Sequence, residues 1–287
     1  MTAGPADLPT FAPVAPAAPV APVAQVAQVA QVAAEPSPYV VAHVEHLMGM
    51  PISIQVRGTQ ARSDQVSAAV RAAFADLAWV DATFSTWKPA SELSRLRRGE
   101  LALDDCCPEM MQVIDLCEHY REATGGAFTH ILPDEASGRW LLDPTGLVKG
   151  WALARAAALL DRSAQRPELA GHAYCLNAGG DIAVGGRDAS PGGQRPWRLA
   201  IENPDVAGEI AQVVELVDGG LATSGCAARG AHLVDPATGE RLHRRGSVSV
   251  VAPDIVAADV WATALFVGPA ELESRVAGLE GWQVIRL

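Results

Sequence analysis

The sequence predicts an α+β protein, with one large domain of mostly antiparallel sheets and flanking helices. Predicted strands follow one another in runs and helices enter only at intervals, whereas a doubly wound sheet requires strands and helices to alternate. Of the 287 residues, 49% are hydrophobic and 19% are charged. This composition supplies a substantial core and excludes a fully disordered chain.

The N-terminal segment, residues 1–38, has a different composition from the rest. It repeats Ala-Pro-Val and then Gln-Val-Ala, with prolines at positions 13, 16, 19 and 22. Proline fixes φ and removes a backbone donor, so the repeat favours an extended, solvated chain. We predict a disordered tail or tether at 1–38, followed by the folded domain at 39–287.

The first half of the domain shows two strands and three helices. Ser63 is a predicted helix cap, and the apolar residues that follow it recur at helical spacing. A Gly125-Gly126 pair predicts the end of the second helix. The predicted strands cover 40–44 and 51–56, and the predicted helices cover 64–79, 108–124 and 149–161.

The second half is mostly strands, with two helices near its end. Alternating or continuous apolar runs bounded by glycine, proline and asparagine indicate these strands. The predicted strands cover 173–177, 182–185, 197–201, 211–216, 221–224, 232–234, 247–251 and 282–287, and the predicted helices cover 257–266 and 271–277.

Charge and composition exclude several classes of partner. The formal net charge is −11 and no block of Lys and Arg is present, so we expect no nucleic-acid partner. No run of about 18 apolar residues occurs, which predicts no membrane span. Five cysteines without a CxxC spacing argue against a disulfide framework or a structural zinc site. The sequence shows neither a secretory signal nor a cysteine before Cys106 for a lipid anchor, so we expect a cytoplasmic protein.

Two segments have the composition of anion or ligand sites. Asp143 and Lys149 flank the predicted start of a helix, where free amides and a lysine favour an anion, although a solvated turn fits the same residues. The segment 177–181, Asn-Ala-Gly-Gly-Asp, follows an apolar strand. Its glycines allow close backbone approach to a ligand, or simply form a hairpin turn.

Two further segments carry candidate chemistry. His232 precedes Asp235 and Pro236 on a short apolar stretch, where it could be a base or a structural histidine. Asp259 and Thr263 are four residues apart, so a helix places both oxygens on one face. Such oxygens are ligands that Mg²⁺ accepts, although Asp259 could instead cap the helix.

Taken in order, these strings resemble the ApbE family of FAD:protein FMN transferases over roughly residues 43–287. The order begins with Met48-Gly49, the segments 84–87 and 91–96, and Thr-Gly-Gly-Ala-Phe at 124–128. It ends with the two most specific strings, His-x-x-Asp-Pro-x-Thr-Gly from His232 and Ala-Asp-x-x-x-Thr around Asp259.

The resemblance implies a reaction: with Mg²⁺ bound, the FMN half of FAD is moved onto a Thr or Ser hydroxyl of a target flavoprotein as a phosphoester, releasing AMP. It implies that His232 is the base that activates the acceptor hydroxyl. Asp259 and Thr263 would be side-chain ligands of Mg²⁺, with backbone carbonyls near Gly146 and Ala262. The implied FAD-binding residues are Met48, Trp87, Ala127, Phe128, Thr129, Asp143, Lys149 and Leu233.

The sequence departs from the family pattern at several positions. Trp87 stands where the family usually has Tyr, and Thr129 stands where it commonly has Asp. Arg155 and its neighbours replace a frequent acid, and Cys226-Ala227-Ala228 replaces a more polar stretch. Two other functions fit the same residues: hydrolysis of FAD to FMN and AMP, and flavin binding without catalysis. The intact Asp259, Thr263 and His232 argue against the second of these.

Overall fold

A computed structural model describes residues 40–134, 137–164, 171–187, 195–226 and 233–287. Within these segments the helices are α1 Asp64–Phe84, α2 Glu92–Arg97, α3 Pro108–Ala123, α4 Thr145–Ala164 and α5 Ile255–Val267. The strands are β1 Val40–Leu47, β2 Met50–Gly58, β3 Ile131–Pro133, β4 Trp140–Leu142, β5 His172–Ala178, β6 Asp181–Gly186, β7 Trp197–Glu202, β8 Ile210–Leu216, β9 Gly219–Gly225, β10 Ser247–Ala252 and β11 Gln283–Arg286. None of the described helices combines the length and apolar character needed to cross a membrane.

The central feature is a seven-stranded sheet in the order β1-β2-β5-β6-β9-β10-β11. Two small sheets, β3–β4 and β7–β8, accompany it. All of these described strand pairs are antiparallel. The join between β2 and β5 pairs Ile52 with Ala178. The predicted α+β class with mostly antiparallel sheets is confirmed.

Each face of the large sheet covers a different apolar cluster, as the two-residue alternation of strands requires. In β5, Tyr174 and Leu176 face the cluster that includes α1, α4 and α5. Ala173 and Cys175, which alternate with them along the strand, face the cluster that includes Trp197 of β7. The sheet is therefore covered by helices on one side and by the β7–β8 hairpin on the other.

Helix α5 lies between the large sheet and α4, and it is buried almost all round. Its most extensive described contacts are with β9, β10 and α4. Asp254 is its N-cap, with a side chain that accepts from the Ala257 amide at 2.8 Å. A helix that is apolar on every face belongs in an interior, so the polar residues it does contain require partners.

Several boundaries differ from the prediction for physical reasons. Ser63 caps α1 as predicted, accepting from the Val66 amide at 3.2 Å. The helix continues to Phe84 because Val80 and Phe84 extend its buried stripe. Helix α4 begins at Thr145 rather than at Lys149. The cause is the Asp143 carboxylate, which accepts from the Thr145 amide at 3.1 Å and satisfies a helix-start donor.

Other elements were predicted wrongly or not at all. The predicted helix at 271–277 is a 3₁₀ helix over Ala270–Arg275. Of the predicted strand at 232–234, residue 232 lies outside the described residues, and Val234 forms an isolated bridge with Arg241. In α3 the helical spacing predicts an apolar side with Met111, Ile114, Leu116 and Cys117. The structure buries Met110, Val113 and Cys117, whereas Met111 is exposed. The short elements α2, β3 and β4 were not predicted.

Candidate active site

The ammonium group of Lys149 lies between two buried carboxylates. Lys149 is in the second turn of α4, so the alternative of a solvated turn is wrong. Its Nζ forms a close ion pair with Asp181 at the start of β6, and it is 3.6 Å from Asp259 Oδ1. The side chains of Asp181 and Asp259 are 2% and 5% exposed, and that of Lys149 is 17% exposed. Strand β6 and helices α4 and α5 thus meet at this lysine.

The carboxylate of Asp259, a residue of α5, is held in place by a backbone amide of α4. Its Oδ2 accepts from the Gly150 amide at 2.9 Å. Because Asp254 is the helix cap, the alternative that Asp259 caps α5 is wrong. Asp259 is instead a buried carboxylate on the α4 side of α5.

Thr263 lies one turn beyond Asp259, as the i, i+4 spacing predicts. Its Oγ1 is 2.9 Å from the Ser224 hydroxyl of β9, a hydrogen bond in which either oxygen can donate. The neighbouring Thr223 amide donates to Asp181 Oδ1 at 3.3 Å. We call Lys149, Asp181, Ser224, Asp259 and Thr263 the polar cluster.

The polar cluster has the charge and the donors of a cation site. Two carboxylates and one ammonium leave a net negative charge in a buried place, which is costly unless a cation or further donors compensate it. The carboxylate of Asp259 and the hydroxyls of Thr263 and Ser224 are hard oxygen ligands of the kind that Mg²⁺ takes. Among the described residues no group of three or more His, Cys, Asp or Glu side chains could hold a metal. A cation here would therefore depend on mixed carboxylate, hydroxyl and carbonyl donors.

The predicted carbonyl ligands lie on the two helices of the cluster. Ala262 is fully buried in α5, directly before Thr263. Gly146 is in the first turn of α4, where a Cβ on it would be 3.4 Å from the Phe128 ring. Their role as ligands stays a prediction.

Asp143 stands at the entrance to α4 and has fixed partners. Its carboxylate accepts from the amide and the hydroxyl of Thr145, and it pairs with Arg97 at 3.0 Å. Arg97 also pairs with Asp134 at 3.1 Å. In the structure Asp143 organises the start of α4, and its contact with FAD stays a prediction.

The predicted FAD residues of the 127–129 turn follow α3. Phe128 is buried and its amide donates to the Thr124 hydroxyl at 3.1 Å. Ala127 and Thr129 are half-buried, and the Thr129 hydroxyl accepts from the Ile131 amide at 3.2 Å. Because Phe128 lies against Gly146, the structure places this turn beside the first turn of α4.

The remaining predicted FAD residues lie in three other places. Met48 is at the β1–β2 turn, with a φ of 54°, in the left-handed region that a non-glycine residue seldom adopts. Trp87 is 92% exposed, between α1 and α2, so it is not part of the buried polar cluster. Leu233 is half-buried, and its carbonyl accepts from the Leu242 amide at 2.8 Å. Their contacts with FAD stay predictions.

The predicted base, His232, lies outside the described residues. The described histidine next to the 127–129 turn is His130, which is buried and has an Nδ1 with no hydrogen-bond partner. Burial lowers the pKa of His130 below its ordinary value, because desolvation disfavours the charged imidazolium.

Two members of the polar cluster, Asp181 and Ser224, were not among the predicted site residues. Asp181 ends the candidate ligand segment Asn-Ala-Gly-Gly-Asp, and Ser224 is the last residue of the predicted strand 221–224. For Asp181 the available signal is a charged residue at the beginning of an otherwise apolar strand, because such a residue is seldom buried without a partner.

Arg155 has a structural role that the departure from the family pattern did not suggest. Its guanidinium donates to Asp76 of α1 through Nε at 2.9 Å and through Nη2 at 2.5 Å. It also lies over the rings of Trp79 and Trp151, at 5.1 and 4.8 Å from their centroids. Arg155 therefore joins α1 to α4, and its side chain is engaged in helix packing.

Gly150 sets the distance between α4 and the polar cluster. A Cβ on it would lie 3.0 Å from Asp259 Oδ2 and 3.1 Å from the Ile255 carbonyl. Overpacking costs roughly 1–3 kcal/mol, which exceeds the gain of up to about 1 kcal/mol from replacing a helical glycine by alanine. We expect Gly150→Ala to lower the free energy of unfolding by about 1 kcal/mol, measured by urea denaturation. Gly146→Ala in the same helix is the control, and equal stability of both variants would contradict this interpretation.

Comparison with known proteins gives one consistent result. A family model described as the ApbE family matches residues 48–133 and 134–285. Among curated relatives named FAD:protein FMN transferase, that of Klebsiella pneumoniae is 32% identical over 126 residues, and that of Escherichia coli K12 is 34% identical over 121 residues. Each match covers 39% of this chain, and it covers 35% of the Klebsiella protein and 34% of the E. coli protein. The matched region thus spans about a third of the length of these relatives.

Solved structures of similar fold extend over a larger part of the chain. The ApbE protein of Thermotoga maritima has a TM-score of 0.66 at 20% identity, covering 86% of this chain and 94% of that one. The flavinyl transferase ApbE of Pseudomonas stutzeri has a TM-score of 0.63 at 20% identity, covering 86% and 94%. These two likenesses show the fold.

Proposed function

Because the chain belongs to the ApbE family, we propose that it transfers the FMN moiety of FAD to a Thr or Ser hydroxyl of a target flavoprotein and releases AMP. The observation that carries the proposal is the polar cluster, in which Asp259 and Thr263 lie one helical turn apart and Lys149 approaches Asp259 at 3.6 Å. The curated relatives that match the chain are named FAD:protein FMN transferase, which supports the same activity.

The proposed reaction is one substitution at phosphorus. The acceptor hydroxyl oxygen bonds to the phosphorus of the FMN half, and the bond from that phosphorus to the bridging oxygen of the pyrophosphate breaks. AMP leaves with the bridging oxygen, and the proton of the hydroxyl goes to a base. Histidine has a pKa suited to this work near neutral pH, and by match of motif we assign the role to His232.

Charge compensation is the main demand that this reaction makes on the protein, because negative charge on the phosphate oxygens has to be neutralised. Asp259, Thr263 and the carbonyls of Gly146 and Ala262 are the proposed ligands of Mg²⁺. When bound, Mg²⁺ neutralises charge on the pyrophosphate and orients it. Lys149 supplies a second, permanent cation in the polar cluster, and Asp181 keeps it in place.

The proposed FAD site surrounds the first turn of α4. Phe128 packs at Gly146, and Asp143 fixes the helix start, where the positive end of the helix dipole favours a phosphate group. Ala127, Thr129, Met48, Trp87 and Leu233 are the further proposed contacts of FAD.

The test is incubation of the chain with FAD, Mg²⁺ and a candidate acceptor flavoprotein. We expect flavin fluorescence on the denatured acceptor band and an equal amount of AMP. The matched control is the same acceptor with its Thr or Ser replaced by Ala, which should remain unlabelled. Free FMN and AMP without labelling would instead show hydrolysis, and FAD binding without either product would show a flavin-binding protein.

A further inference from the structure

Asp181 is fixed from two sides at the start of β6. Its Oδ1 accepts from the Thr223 amide of the neighbouring strand at 3.3 Å, and its Oδ2 forms the close ion pair with Lys149. The side chain is 2% exposed. A carboxylate so placed cannot move far, so it determines where the ammonium of Lys149 rests.

Lys149 has a second carboxylate within reach. Its Nζ is 3.6 Å from Asp259 Oδ1, beyond the usual hydrogen-bond length of about 2.7–3.2 Å. A buried ammonium without a carboxylate partner is strongly disfavoured. If Asp181 lost its charge, the ammonium would therefore gain by closing the short remaining distance to Asp259.

An ammonium and a divalent cation compete for the same carboxylate. We propose that Asp181 is a positioning residue, which holds the Lys149 ammonium away from Asp259 and so leaves the Asp259 carboxylate for a divalent cation. The inference rests on the metal role of Asp259 in the proposed function. It assigns to Asp181 an effect on metal affinity that is exerted through Lys149.

The test measures Mn²⁺ binding to the FAD-free protein, from the electron paramagnetic resonance signal of free Mn²⁺. Four proteins are compared: wild type, Asp181→Asn, Lys149→Met and the double variant. We expect Asp181→Asn to bind Mn²⁺ about tenfold or more weakly, which corresponds to about 1.4 kcal/mol. In the double variant no ammonium is left to compete, so its affinity should return to within about threefold of that of Lys149→Met, by the logic of a double-mutant cycle.

The alternative is that Asp181 attracts or ligates the metal directly. In that case the double variant would bind Mn²⁺ as weakly as Asp181→Asn does, and this result would overturn the inference. Wild-type affinity in Asp181→Asn would overturn it too. If the wild-type protein binds no Mn²⁺, the metal role in the proposed function fails together with this inference. If the wild-type protein binds Mn²⁺ but the variants do not differ from it as expected, this inference alone fails.

Folding is checked by circular dichroism melts of all four proteins. If Asp181→Asn does not fold, the two variants without the lysine decide the question, since neither contains a lone buried ammonium. Equal Mn²⁺ affinity of Lys149→Met and the double variant supports the inference. A tenfold lower Mn²⁺ affinity of the double variant than of Lys149→Met overturns the inference.

Discussion

Asp259→Ala is expected to abolish Mg²⁺-dependent transfer of FMN while the chain stays folded. Asp259 is the carboxylate among the proposed metal ligands, and hydroxyl and carbonyl oxygens alone bind Mg²⁺ weakly because they carry no formal charge. The fold should survive because Lys149 retains its ion pair with Asp181. The measurement is the transfer rate over a range of Mg²⁺ concentrations, together with a thermal melt.

Asp254 provides the matched control in the same helix. Asp254→Ala removes the N-cap of α5, which costs about 0.5–2 kcal/mol of stability, but it leaves the polar cluster in place. Its melting temperature should therefore fall while its dependence on Mg²⁺ is unchanged. Full activity of Asp259→Ala at limiting Mg²⁺ would remove the metal role of Asp259.

The second large effect is expected for His232→Asn. A general base contributes typically about 10²–10⁴-fold to a rate, and it contributes little to binding of the cofactor in the ground state. The variant should therefore bind FAD and Mg²⁺ nearly normally, melt close to wild type and transfer FMN very slowly. Raising the pH should restore some activity, because hydroxide can replace the missing base.

His243, an exposed histidine, provides a control for that experiment. His243→Asn should transfer FMN at the wild-type rate. The hypothesis for His232 is wrong if its variant unfolds early while the fraction that remains folded transfers FMN normally. His232 would then be a structural residue, and the buried His130 beside the 127–129 turn would be the next histidine to replace.

Local patterns in the sequence were sufficient for much of this fold. The Ser63 cap and the apolar stripe behind it identify α1, and the spacing of Asp259 and Thr263 places both on one face of α5. Both inferences depend only on residues within one or two helical turns. Two of the elements that the sequence did not predict, β3 and β4, have three residues each, too few for a period to be visible.

The polar cluster depends on contacts between distant segments, which a local pattern does not contain. The predicted helix start beside Asp143 makes Lys149 a candidate anion-binding residue, yet nothing near it in sequence indicates Asp181 as its partner. The family pattern marks Arg155 only as a departure, whereas its contacts with Asp76 and Trp79 of α1 explain the arginine. In each case the missing information was the packing of α4 against other elements.

The pairing of β2 with β5 has a consequence for how the chain reaches this structure. Ile52 and Ala178 are neighbours in the sheet, but four α-helices and a hairpin separate them in sequence. Non-local pairings of this kind slow folding, because the entropy of closing a long loop is lost before the contacts form. During synthesis β1 and β2 can form a hairpin early, but the edge of β2 stays open until the ribosome has released β5. We expect the nascent chain to be most prone to aggregation in this interval.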